Sequence, residues 1–328
     1  MILVTGGAGF IGSNLLAGLE ARGQYELAVA DHLGRGDKWR NIAKREIAAF
    51  VRPDRLESFL EAHRERLETV FHLGAVSSTT ETDADLIVDS NFALSQMLWD
   101  WCARHGKRLI YASSAATYGD GGAGFDDDFS LPHLAKLKPL NAYGWSKHAF
   151  DRRVARVASG NGARPRQWAG VKFFNVYGPN EYHKGAQASV VYHTHQRVKQ
   201  GKKARLFRSH DKKYKDGGQM RDFVWVGDCV DALLFLHDNP AVNGMFNIGS
   251  GKARSFLDLT HAVYKALGKK PAVEFVDTPK EIRAKYQYFT EAKIGRLRVA
   301  GFKKPMTSLE DGVAAYVRDF LEAPDPYR

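Results

Sequence analysis

Short uninterrupted apolar runs alternate with longer stretches whose apolar residues recur every three or four positions, and the alternation persists through the first half of the chain. Ile2-Leu3-Val4, Leu27-Ala28-Val29-Ala30-Asp31, Thr69-Val70-Phe71-His72-Leu73 and Arg108-Leu109-Ile110-Tyr111-Ala112-Ser113-Ser114 read as strands buried on both faces, since they lack the every-other-residue pattern of a half-exposed sheet. Ile11 to Ala21, Leu86 to Arg104 and Ala142 to Ala158 carry helical periodicity. Strand and helix in alternation predict crossover connections and an α/β fold, a Rossmann-type doubly wound parallel sheet. Gly170 to Pro179 reads as a further strand running into a turn, after which the alternation loosens. Gly201 to Met220 is expected as an exposed loop, and Arg221 to Val226 and Met245 to Gly249 as strands returning to the body. The chain divides on this pattern into residues 1–172, with returning segments near 221–250, and a smaller C-terminal substrate-binding domain built mainly from 173–328. The tail Glu322 to Arg328 is expected to fray.

Glycine placement gives the first strand a chemistry. In Val4-Thr5-Gly6-Gly7-Ala8-Gly9-Phe10-Ile11-Gly12, Gly6 allows a tight turn, Gly9 lets backbone approach a pyrophosphate, and Gly12 permits close packing of the following helix. The helix N-terminus around Phe10 and Ile11 then offers free amides to phosphate oxygens. Asp31, nineteen residues beyond Gly12, ends the second strand where an acid meets adenosine ribose hydroxyls. A loop over the cofactor follows the third strand, through Leu73, Gly74, Ala75, Val76 and Ser77, and Asn91 is placed to anchor it. A dinucleotide is the expected cofactor.

Tyr143 and Lys147 are four residues apart, on one face of a helix, where the ammonium can lower the phenol's pKa and bind the nicotinamide ribose. That makes the phenol a usable base near neutral pH. Ser114 ends its strand at the carboxyl edge of the sheet, where ligands bind in such folds.

Composition fits this picture. The 328 residues are 44% hydrophobic, enough for a sizeable core, and hold no apolar run of bilayer length. A cytoplasmic location is expected, because the first strand occupies the place of a signal peptide. Cys102 and Cys229 are too few and too isolated for a disulfide framework or a metal site, so no metal is expected. The net charge of +11 raises the question of nucleic acid, yet its one local concentration, from Lys199 to Lys215, is met as well by a phosphate-bearing substrate or a solvated surface. With no aromatic RNA-binding signature or helix-turn-helix pattern, neither nucleic acid nor membrane is an expected partner.

The glycine start, Ser113-Ser114-Ala115-Ala116-Thr117-Tyr118-Gly119, Tyr143 to Lys147 and Phe174-Asn175-Val176-Tyr177-Gly178-Pro179 resemble the extended short-chain dehydrogenase/reductase superfamily of nucleotide-sugar enzymes. Ser77-Ser78-Thr79-Thr80-Glu81 and His183-Lys184-Gly185 followed by Ala188-Ser189 are similar, more narrowly, to the ADP-L-glycero-D-manno-heptose 6-epimerases, which supply activated heptose for the lipopolysaccharide inner core. The resemblance implies inversion at C6 by transient oxidation and re-reduction, with the cofactor kept bound. It implies Tyr143 as base for one epimer with Lys147 assisting, Ser114 as donor to the carbonyl oxygen, and Lys184 as second base. It implies a cofactor site that includes His32, Val176 and Lys184, and substrate contacts at Asn175, Ala186, Ser189, His193, Leu206, Phe207, Arg208, Ser209, Arg221 and Tyr286. Arg221 is expected to pair with phosphate oxygens, and Tyr286 to close over the nucleotide. Ala186 stands where relatives can carry a serine, which removes one contact. A homo-oligomer is also implied. Asp31 by itself favours NAD, while Lys38 and Arg52 can neutralise a 2′-phosphate; with the resemblance, NADP is the expected cofactor and NAD the alternative.

Three other readings compete. A hexose 4-epimerase needs no second base, and a 4,6-dehydratase places an Asp-Glu pair where this chain has Ala115-Ala116. A non-catalytic nicotinamide sensor would not need the tyrosine and lysine.

Overall fold

The computed structural model describes residues 1–283 and 286–328. Among them the strands are, in chain order, β1 (Ile2–Thr5), β2 (Leu27–Ala30), β3 (Ala49–Val51), β4 (Thr69–His72), β5 (Arg108–Ser114), β6 (Gln167–Phe173), β7 (Asn175–Tyr177), β8 (Ala204–Phe207), β9 (Met220–Trp225), β10 (Gly244–Ile248), β11 (Ala253–Ser255) and β12 (Val273–Val276). Seven form one sheet in the order β10-β6-β5-β4-β1-β2-β3, with every neighbouring pair parallel. The fold is therefore Rossmann-like α/β. Each residue of β1, β2 and β4 is buried, as their unbroken apolar runs require of central parallel strands.

Helices cover both faces. On one, Leu15, Leu16 and Leu19 of the helix Phe10–Glu20 pack with Val230, Leu233 and Leu234 of the helix Val226–Asp238. Gly18 makes that approach possible, since a Cβ there would lie 2.7 Å from the Val230 side chain. On the other face Leu56, Leu60, Leu98, Trp99, Phe150 and Val154 form the second core. Strands β11-β9-β7 and β12-β8 build two smaller sheets beyond the main one.

Three expectations change. The helix expected from Leu86 begins at Ala84 and widens into a π-helical stretch, Val88–Ala93, before Leu94–Arg104. The wider turn contains buried Asn91, whose amide pairs with both backbone groups of Val76 at 2.8 and 2.9 Å and donates to Ser146 Oγ at 3.0 Å. The expected loop Gly201 to Met220 contains β8, whose buried Ala204 and Leu206 flank exposed Arg205; neighbouring lysines hide this short alternation. The tail is docked rather than frayed. Tyr182 donates to the Pro326 carbonyl at 2.7 Å, Arg40 lies over the Tyr327 ring, and the Arg328 N–H donates to Asn180 Oδ1 at 3.0 Å.

Candidate active site

Strand order reverses between β1 and β4, and their carboxyl ends part around the glycine turn. Gly6 has φ +67°, and a Cβ on it would fall 2.6 Å from Gly74 Cα. At Gly12 a Cβ would fall 2.2 Å from the Gly6 carbonyl, so neither position accepts a side chain without moving backbone. The helix that starts at Phe10 has no side-chain cap, leaving its first amides free for an anion. The Ala8 N–H donates to Asp31 Oδ2 at 2.9 Å, which ties the turn to the end of β2. This backbone cradle and its acid fit a dinucleotide.

The cradle opens into a cavity of about 320 Å³. It brings together Gly6, Gly9, Phe10, Ile11, Gly12, Asp31, Lys38, Leu73, Gly74, Ala75, Ser77, Ser114, Tyr143, Lys147, Val176 and Lys184 of the expected residues. His32 and Val76 line an adjoining hollow with Asp31 and Lys38. Arg52 follows β3, beside Pro53 of that hollow, exposed and bonded to Asp54 at 3.1 Å. Asn175 is exposed at the start of β7, next to Val176 of the cavity wall.

Burial sets the protonation chemistry here. Lys147, 3% exposed, is pulled down to about 8 by desolvation, with Asp151 opposing. The expected lowering of the Tyr143 phenol is not found: burial pushes it up, and only the adjacent Ser114 hydroxyl pulls it back. Desolvating a phenolate outweighs the help of a lysine that burial has itself made reluctant to hold charge. Lys184 is also depressed by burial, against the pull of Glu181, and its ammonium lies over the Phe10 ring, 5.4 Å from the centroid. The cavity thus holds two amines and a phenol whose charged forms are all disfavoured, which suits groups that exchange protons.

The segment carrying Lys184 is stitched to the glycine turn by asparagines. Asn41 Nδ2 donates to the Ala8 and Asn180 carbonyls at 2.9 and 3.1 Å, Asn180 Nδ2 donates to Ser13 Oγ at 3.0 Å, and Asn14 Nδ2 donates to the Pro179 carbonyl at 2.9 Å. His183, whose ring meets Asn41 at 3.1 Å, also lines the cavity, as do Ala112, Ser113, Phe173 and Phe174. None of these was singled out from sequence as a site residue. Ser113, Phe174 and His183 do fall inside the motifs quoted above, and Asn180 after Gly178-Pro179 carries a further signal, a residue type that tolerates the left-handed turn it occupies at φ 70°.

A second neighbourhood gathers the C-terminal candidates. The Arg221 guanidinium donates to the Met220 and Gln287 carbonyls and lies over the rings of Phe256 and Tyr286, the latter packed edge-on against Phe207. Arg208 reaches toward Asp216 and Asp277, both at 3.6 Å, and the Ser209 N–H donates to Asp216. Leu206 is buried on β8, beside Phe207. His193 packs beside Tyr192, and Ala186 is exposed just past Lys184. Ser189, expected to line the sugar, caps a helix: its Oγ donates to Glu181 at 2.6 Å and accepts from the Tyr192 N–H.

Residues 2–249 match the NAD dependent epimerase/dehydratase family. ADP-L-glycero-D-manno-heptose-6-epimerases from Fusobacterium nucleatum and Nitratidesulfovibrio vulgaris are each 46% identical to this chain, with the whole of both sequences covered. The solved structure of the Helicobacter pylori ADP-L-glycero-D-manno-heptose-6-epimerase superposes with a TM-score of 0.79 at 26% identity, covering 97% of this chain and 95% of that one.

Proposed function

Because the chain belongs to the NAD dependent epimerase/dehydratase family and to the ADP-L-glycero-D-manno-heptose-6-epimerases within it, we propose that it inverts C6 of the heptose in ADP-D-glycero-D-manno-heptose. It is an isomerase acting on a nucleotide sugar with a nicotinamide cofactor. The observation that carries the reading to particular residues is the shared cavity: Lys184 lines the same space as Ser114, Tyr143 and Lys147.

A bound nicotinamide supplies reversible two-electron oxidation of the alcohol carbon. The glycine turn and the first amides of the helix Phe10–Glu20 hold its pyrophosphate, and Asp31 with Lys38 meets the adenosine ribose. Tyr143 takes the hydroxyl proton from one epimer, Lys147 steadies the phenolate, and Ser114 donates a hydrogen bond to the carbonyl oxygen. The hydroxyl of the other epimer points away from Tyr143, and Lys184 takes its proton. Burial that depresses Lys184 supports this role, because an amine must shed its proton to act as a base.

NADP is the proposed form of the cofactor. The Lys38 ammonium on Asp31 offsets the acid that would otherwise repel a 2′-phosphate. Residues 1–172, with the returning segments near 221–250, make up the cofactor part in this reading, and most of 173–328 the substrate part around Arg221 and Tyr286. A homo-oligomer serving lipopolysaccharide inner-core synthesis rests on the family resemblance, and a cytoplasmic location on the expectation that the first strand stands where a signal peptide would. Among the described residues no helix is long and apolar enough to cross a membrane.

Incubating the purified protein with ADP-D-glycero-D-manno-heptose and resolving the epimers by chromatography tests the function. Interconversion is expected; turnover of UDP-hexoses at C4 with none of the heptose would overturn it.

A further inference from the structure

A charge pair sealed from solvent lies behind the serine and lysine of the cavity. Asp151, 0% exposed, stands one turn beyond Lys147 on the helix Ala142–Ser159, and Lys172, 1% exposed, stands on β6. Lys172 Nζ donates to Asp151 Oδ2 at 2.5 Å and to Thr117 Oγ1 at 2.8 Å, and lies over the Tyr118 ring. Asp151 also accepts from Ser113 Oγ at 2.7 Å and from the Tyr111 hydroxyl at 3.3 Å. Thr117 Oγ1 in turn donates to the Ser114 carbonyl at 2.8 Å. Both serines at the end of β5 are therefore fastened, one by its side chain and one by its backbone, to a single ion pair.

Stability does not account for the pair. Attraction between two buried ions roughly repays their lost hydration, and well-packed apolar residues in such places are often as stable or more so. Its position does have a chemical consequence. Ser114 from β5 and His183 and Lys184 from the segment 182–187 share the cavity with Tyr143 and Lys147, His72 from β4 feels the Lys147 charge, and Tyr111 from β5, Lys172 from β6 and His148 from the same helix surround Asp151. Burial holds His72 down at about 3, and His148 and His183 at about 4, so all three are neutral at pH 7. Of the carboxylates nearby, Asp31 is paired with Lys38. Asp151 is the one that acts on both groups, raising Lys147 and Tyr143 together.

We propose that Asp151 and Lys172 are positioning residues for proton transfer: the pair fixes the end of β5 that carries Ser114 and sets a fixed negative charge one helical turn behind Lys147. This rests on the reading of Tyr143 as base. Asp151 opposes the desolvation of Lys147, and Lys172 holds the carboxylate aimed.

The test is the pH dependence of kcat for the cofactor-loaded enzyme carrying Asp151→Asn, and Asp151→Asn with Lys172→Met, beside Tyr143→Phe. Removing the negative charge lowers the pKa of both the phenol and the amine. For Asp151→Asn both limbs of the profile are expected to move to lower pH, by about one unit for a charge a helical turn away, and for the double variant in the same direction but by less, because losing the Lys172 cation opposes the loss of the anion. The double variant leaves no lone buried charge, so its unfolding temperature should lie near the parent's even if Asp151→Asn alone fails to fold. A folded double variant with unmoved limbs overturns the inference, whatever its kcat. A double variant that does not fold assigns the pair to the fold alone and overturns it too. Full activity in Tyr143→Phe would instead remove the base on which the inference rests.

Discussion

Lys38 Nζ donates to Asp31 Oδ1 at 2.6 Å and to the His32 carbonyl at 2.8 Å, so the acid at the end of β2 already holds a cation. The same carboxylate accepts from the Ala8 and His32 N–H groups, which fixes it against the glycine turn. A neutralised acid no longer excludes a 2′-phosphate. Lys38→Ala should lower the preference for NADP over NAD on the order of tenfold, the worth of one charge-assisted hydrogen bond. Competitive reloading of the stripped protein with both cofactors measures it; an unchanged ratio would place the choice in other residues.

Tyr143→Phe removes one oxygen from the cavity wall and should leave the fold and cofactor in place. Epimerisation should fall by roughly 10²- to 10⁴-fold, the range of a general acid or base. Activity within about threefold of the parent would make Tyr143 a packing residue.

The pH profile of the parent enzyme carries the sign of the Lys147 shift. Held at about 8, Lys147 is charged below that pH and loses its proton above it. Its support for a phenolate therefore fades on the alkaline side, and the rise of kcat with pH, governed by a phenol that burial holds above its ordinary value, should flatten through about pH 8. A rate still climbing well past that point would separate Lys147 from the proton transfer.

Lys184→Met keeps the stem over Phe10 and removes the amine. Net epimerisation should be lost with cofactor retained, as read by nicotinamide absorbance of the purified protein. An analogue with an aldehyde at the reacting carbon, which one enzyme can both oxidise and reduce, separates the two bases. Each single variant of Tyr143 and Lys184 should keep part of that dismutation, and the double variant almost none. Wild-type epimerisation by Lys184→Met would require one base and a sugar that turns.

Asn180 tests how far the cavity depends on its supports. It stands at φ 70° and bonds Ser13, Asn41 and the Arg328 N–H. Asn180→Ala should destabilise by about 2–4 kcal/mol, from strain plus unpaired buried groups. Asn180→Gly should recover the strain but not the hydrogen bonds. Equal denaturation midpoints for both variants would rule out a backbone contribution.

The parallel sheet, the glycine cradle, Asp31 and the Tyr143–Lys147 pair are legible along the linear chain. These depend on local rules: unbroken apolar runs for buried strands, glycine where backbone meets backbone, and a four-residue spacing on one helix. Even Asn91 was legible, although the π-helical turn around it was not. Tertiary structure alone decided the rest, because it depends on residues far apart in the chain. Asn14, Asn41, Asn180 and Arg328 meet only when the fold closes, and they turn an expected loose tail into a brace behind Lys184. Strand β8 needed β12 to be seen. Protonation was the least legible of all. Spacing suggested that Lys147 would lower the Tyr143 phenol, but burial raises the phenol and lowers the amine, and the depth of a side chain is a property of the packed molecule.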